Sequence, residues 1–259
     1  MKTSNSAVGL AIVLVLTVVS GGTAATIEDT IGQTLAFAPG DRLEVTNTNG
    51  DIEVRTWDRN EIQIEARKRV KASSEERART AFDDLRVKID QTGSGVTIDT
   101  DYPKGPNGWW GNVSSSVHYE ILIPRQADLD LETVNGKVTV TGVHGEIEVG
   151  TTNGGIEVED SGGSVSARTT NGGIEVELQE VMPDENMTFR STNGGITLTL
   201  PSQIAADISA RTTNGSVQTD FPITVQGTFR KNRLDGSLNG GGADIELKTT
   251  NGSIRIREM

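Results

Sequence analysis

Four basic residues, Arg168, Arg190, Arg211 and Lys248, each stand three places before an Asn-Gly pair, which predicts one outward basic column. Glu157 and Glu175 each follow such an Asn by four places, with Glu159 and Glu177 two places further on. If the segments stack, Glu157 and Glu175 lie about 4.8 Å apart and repel by about 1–3 kcal/mol depending on screening. A divalent cation or a neighbouring Arg would relieve that repulsion. The spacing therefore allows a weak cation site or a groove for anionic glycan along the basic column. It equally allows a solvated repetitive face whose charges balance diagonally, as Glu148 with Arg168. The calcium-binding signature GGxGxD is absent, and no metal or cofactor is expected.

Residues suited to catalysis are few. Cys is absent, and His118 and His144 are the only histidines, one placed in a strand and the other in a turn. A thiolate nucleophile is thereby excluded and a His-based metal site or triad has few candidates. Asp160, Asp184 and Glu185 fall near segment edges, but spacing alone does not bring them together as paired acids. GSGVT and NGGG resemble phosphate loops only in composition, because neither a Lys nor a helix follows. The better binding candidate is the loop YPKGPNGWWGN, residues 102–112, with Tyr102, Trp109 and Trp110. Exposed indoles stack on sugar rings or protein partners; the alternative is that they fold down as a cap over one end of a stack.

Composition sets the frame for these residues. The chain has 259 residues, 34% hydrophobic and 4% aromatic, with 30 Gly, which suits one repetitive domain better than a bulky core. A formal charge of −12 opposes nucleic-acid binding. Lys2, the apolar run Ala7 to Val19 and the small residues Ser20 to Ala25 read as an export signal, residues 1–25, cleaved after Ala24 or Ala25. That run of 13 apolar residues falls short of a membrane span, which needs about 20. The mature chain is expected to be exported, periplasmic or extracellular, with no span of its own.

Residues 26–130 form a less regular β-rich part. EIQIEA, residues 61–66, alternates as a half-buried strand does. Ser73 and Glu76 match a capping box, and Ala78, Ala81, Phe82 and Leu85 share a face, predicting one short helix over 74–85. Strands are expected to resume at 86–89, 95–100 and 117–123.

From residue 131 the chain is nearly periodic. Val138, Ile147, Ile156, Val165 and Ile174 stand nine apart, and Asn135, Asn153 and Asn171 eighteen apart. The spacing then loosens to 22 at Asn193, 21 at Asn214 and 37 at Asn251, the last read as about two coils. A constant step this short leaves no room for helices and predicts an all-β, single-stranded β-helix (β-solenoid) with coils of about eighteen residues. The Asn residues, from Asn49 through Asn135, Asn153, Asn171, Asn193, Asn214 and Asn251, are expected to point inward and to bond coil to coil, with Gly chosen for positive φ. Asn-Gly hairpins between antiparallel strands are the competing geometry.

VHYEILIP, LETVNGKVTVTG, GTTNGGIEVED and RTTNGGIEVEL together resemble a bacterial adhesin-like β-strand repeat family, a domain of unknown function in exported envelope proteins. The resemblance covers about residues 40–259. It implies a single-stranded β-helix, an envelope location, and a role in adhesion or in envelope-stress systems; it supplies no catalytic residues. The combined expectation is a non-catalytic binding or scaffold module whose partner is an envelope protein or a glycan. The alternatives are an envelope-stress structural component and a carbohydrate-active β-helix enzyme.

Overall fold

The computed structural model describes residues 10–12, 17–21, 24–103, 112–181, 185–222, 224–225 and 230–259. Among them the chain is all-β with a single helix, and none of its helices is long and apolar enough to cross a membrane. Strands form where side chains alternate in polarity: Glu61–Ala72 buries every second residue from Ile62 to Ala72. The helix is Glu75–Asp84, and Ala78, Ala81 and Phe82 face the core as predicted. Its N-cap is Ser74, whose hydroxyl accepts from the Arg77 N–H at 3.4 Å, one residue beyond the predicted Ser73 box.

Equivalent residues pile into parallel files. Val138 pairs with Ile156, Ile156 with Ile174 and Ile174 with Ile196, steps of 18, 18 and 22 positions, and all four are buried. Val149, Ala167 and Phe189 form a second inward file. The strands on either side of each Asn-Gly pair in parallel with neighbouring repeats, so these corners are not the hairpin turns that Asn-Gly otherwise favours.

The order of repeats in space departs from their order in sequence. Ala243–Asn251 and Ile254–Glu258 do not follow two coils after Asn214. They insert between Met187–Asn193 with Ile196–Leu200 on one side and Ala206–Asn214 with Val217–Thr219 on the other. The Gly-rich stretch before them is no coil: Arg233–Leu238 runs antiparallel along Ala206–Asn214, with Gly236 opposite Ile208. It buries only Leu234 and Leu238, so it lacks the period-two face that an interior file requires and covers an edge instead.

A similar inversion marks the other end. Arg42–Thr46 and Ile52–Trp57 lie between Asp128–Glu132 with Val138–Thr141 and the later strands Gly95–Asp101 and Ser114–Pro124. Beyond them the chain turns antiparallel. Ser114–Pro124 pairs with Glu61–Ala72, which pairs with Ala24–Ala36. Winding in one direction thus holds for the middle of the stack and not for its ends. Leu10–Ile12 and Thr17–Gly21, inside the predicted export signal, run as backbone strands against Ala24–Ala36.

Candidate ligand-binding face

The sequence Arg-Thr-Thr-Asn-Gly, as in residues 168–172, divides its side chains between interior and surface. Thr169 points inward and its hydroxyl donates to the Gly154 carbonyl at 2.9 Å; Thr151 on Gly136, Ser191 on Gly172, Thr249 on Gly194 and Thr212 on Gly252 repeat the bond at 2.7–3.0 Å. Thr170 and Asn171 are both exposed. Alternation therefore breaks at the corner, and the asparagines point outward, contrary to the inward orientation expected from unbroken parity.

They form a ladder nonetheless. Each Nδ2 donates to the next Oδ1, from Asn135 to Asn49, Asn153 to Asn135, Asn171 to Asn153, Asn193 to Asn171, Asn251 to Asn193 and Asn214 to Asn251, at 2.7–2.8 Å. Stacked amides of this kind engage both ends of each side chain except at the two termini of the ladder, Asn49 and Asn214. The corner glycines serve close approach more than left-handed backbone. Only Gly50 among them has a positive φ, whereas a Cβ on Gly172 would stand 1.8 Å from the Gly154 carbonyl oxygen.

Tyr102 closes one end of the ladder. Its hydroxyl accepts from the Asn49 N–H at 3.0 Å and shares its proton between Asn49 O at 2.6 Å and Asn47 Oδ1 at 2.8 Å. Burial pushes this phenol above its ordinary pKa. Trp109 and Trp110, the other candidates of that loop, lie outside the described residues.

The basic column forms in a different order from the sequence. Gly150, Arg168, Arg190, Lys248 and Arg211 are successive neighbours. Arg168 ion-pairs with Glu132, Arg190 meets Glu246 at 2.6 Å and Arg211 meets Asp235 at 3.4 Å. Lys248 has no ion pair among the described residues. A cleft of about 720 Å³ runs beside the column, lined by Arg168, Arg190 and Lys248 together with the outward Thr152, Thr170, Thr192 and Thr250. This file of outward threonines was not singled out in the sequence, although each stands one place before its Asn.

The diagonal pair Glu148 with Arg168 does not form. Glu148 instead approaches Arg42 at 3.6 Å, alongside Asp130 at 3.2 Å and Glu146 at 3.7 Å. Glu157 and Glu175 are neighbours as expected, but relief comes from Lys137, which ion-pairs with Glu157 and whose own pKa that bond raises. Among the described residues no group of three or more His, Asp or Glu could hold a metal. Asp160 sits at a bulge with φ 48°, and Asp184 lies outside the described residues. His118 Nδ1 accepts from the Asp51 N–H at 3.3 Å. His144 opens the strand His144–Asn153, where a turn was expected, and its ring lies against Gly162.

A family model matches residues 41–257, from the strand preceding the first Asn-Gly corner nearly to the chain's last residue. The chain belongs to the Toastrack DUF4097 family. Solved structures similar to this Toastrack chain include a candidate cell adhesion protein from Clostridium sporogenes ATCC 15579, 12% identical with a TM-score of 0.48, covering 88% of this chain and 99% of that one. A candidate adhesin from Bacteroides fragilis NCTC 9343 is 9% identical with a TM-score of 0.37, covering 89% and 97%. A candidate lipid binding protein from Parabacteroides distasonis ATCC 8503 is 12% identical with a TM-score of 0.32, covering 92% and 97%. No curated protein matches the chain.

Proposed function

We propose that this chain is an exported, non-catalytic envelope module that binds an extended anionic glycan along Arg168, Arg190, Lys248 and Arg211. The observation that carries the reading is the file of four cations, of which Arg168, Arg190 and Lys248 line a cleft of about 720 Å³ together with outward threonines. Strands about 4.8 Å apart offer a positive charge at each step to a chain lying across them, and the threonine hydroxyls can bond its sugars. Three of the cations carry carboxylate partners, but the paired side chains are one-third to three-quarters exposed. Such pairs contribute about 0–1 kcal/mol, so an incoming carboxylate or sulfate can replace them at small cost.

The rest of the reading follows the same lines. Residues 131–219 and the inserted 243–258 are read as the β-solenoid coils, about eighteen residues each in the regular middle, with 233–238 as an edge cover and 26–130 as the irregular flank. The export signal is removed after Ala24 or Ala25, delivering the chain to the periplasm or beyond. The Trp109–Trp110 loop, whose start Tyr102 fixes at the Asn49 corner, is assigned a second sugar contact.

The test is calorimetric titration of the full chain with polygalacturonate oligomers and with neutral dextran oligomers. Binding to the acidic glycan alone is expected, weakening with salt, and the double variant Arg190→Glu with Lys248→Glu loses about tenfold or more in affinity. Equal binding of dextran, or unchanged affinity in a variant that keeps its far-ultraviolet circular dichroism, defeats the reading. Shortened oligomers in the titration cell would assign an enzyme in its place.

A further inference from the structure

The seven stacked Asn-Gly corners are not chemically equivalent. In six of them the glycine N–H is bonded to the neighbouring repeat: Gly50 to Asn135 O, Gly136 to Asn153 O, Gly154 to Asn171 O, Gly172 to Asn193 O, Gly194 to Asn251 O and Gly252 to Asn214 O, at 2.8–3.1 Å. Gly215 has no such acceptor among the described residues. It is also the one exposed glycine of the seven. At the same corner the Asn214 side chain keeps a single ladder bond, donating to Asn251 Oδ1 at 2.8 Å, while its own Oδ1 receives none among the described residues. Asn153 and Asn171, in the middle, both donate and accept.

The free Gly215 N–H is the nucleophile that deamidation uses, and the Asn214 side chain, held by one ladder bond where the middle ones have two, is the freer to turn its Cγ toward it. The backbone nitrogen after an asparagine attacks the side-chain Cγ, gives up its proton, and the Cγ–Nδ2 bond breaks with loss of ammonia, leaving a five-membered succinimide. Water then opens the ring at one carbonyl to give aspartate or at the other to give isoaspartate. A glycine N–H engaged with another strand must first lose that bond, and a clamped amide cannot turn toward it. We propose that Asn214–Gly215 is a spontaneous modification site, deamidating ahead of the other stacked corners because the stack ends there. Conversion replaces the Nδ2 donor facing Asn251 Oδ1 by a carboxylate and adds a negative charge three residues after Arg211.

The sequence contains its own control. Asn214 and Asn251 lie in the same pentapeptide, Thr-Thr-Asn-Gly-Ser, at 212–216 and 249–253, and differ in that the Gly252 N–H is bonded and the Gly215 N–H has no acceptor among the described residues. The experiment ages the full chain at mildly alkaline pH, folded and in urea, and follows both corners by peptide mass mapping and isoaspartyl methyltransferase labelling. Asn214 is expected to convert roughly tenfold faster than Asn251 in the folded chain, and at the same rate in urea. Asn49, at the opposite end of the ladder but with its Gly50 N–H bonded, stays with the slow group. Equal folded rates at 214 and 251 overturn the proposal. A difference that persists in urea also overturns it, since local sequence would then be the cause, and so does an Asn49 that converts as fast as Asn214.

Discussion

Arg168 reaches across a whole repeat to ion-pair with Glu132, because the residue between them in the file is Gly150. A Cβ at Gly150 would stand 2.8 Å from Glu132 Oε1 and 3.0 Å from its Cδ, the far end of a flexible side chain. Gly150→Ala is therefore expected to fold, to displace Glu132 and to release Arg168. Urea unfolding should change by less than about 1 kcal/mol. Affinity for an acidic glycan should rise about two- to threefold, and a fall in affinity would count against the ion pair as the element that holds Arg168 back.

Gly154 and Gly155 are neighbours in sequence with opposite tolerances. A Cβ on Gly154 would lie 1.9 Å from the Gly136 carbonyl oxygen, backbone that cannot move away, whereas one on Gly155 meets nothing nearer than 3.6 Å. Gly154→Ala should cost about 3 kcal/mol or more, and Gly155→Ala should remain within about 1 kcal/mol of the parent. Equilibrium urea denaturation of the two variants reads the difference; similar losses in both would refute the close stacking of corners.

Lys68 is buried between its strand and the helix, with Nζ 4.1 Å from the Phe82 ring centroid and 3.4 Å from the Phe82 carbonyl. Burial lowers its pKa from the ordinary 10.5, only partly offset by Asp29 and Asp83. The unfolded chain then binds more protons than the folded one between the two values, so stability rises with pH as 10.5 is approached from below. Tyr102 and Tyr119 act in the opposite sense above pH 10, because burial raises both phenols and favours their protonated, folded form. Chemical denaturation across the alkaline range should show the rise in the parent and not in Lys68→Met, while the decline above pH 10 persists in both.

The register of the stack was legible because Val138, Ile156 and Ile174 repeat at the period that fixes which side chains face inward. The partner of each repeat was not. Thr-Thr-Asn-Gly-Ser at 249–253 fits any neighbour that carries the same corner, so spacing specifies how a repeat sits and leaves open beside which one. The basic column could be read from its constant offset to Asn, but its acidic partners could not: Glu132 is reached only through the gap at Gly150, and Glu246 becomes a neighbour only through the insertion of residues 243–258. Asn47 and Tyr102 close the ladder through bonds spanning 55 residues, which no local pattern encodes.

The insertion of residues 243–258 between two earlier repeats also bears on how the chain is built. Synthesis delivers Ala206–Asn214 before the segment that separates it from Met187–Asn193. Both earlier repeats carry the same Asn-Gly corner, so before that segment exists nothing in their own residues keeps them apart. The stack is complete only once the latecomer lies between them, so the final assembly step waits on the last stretch of the chain.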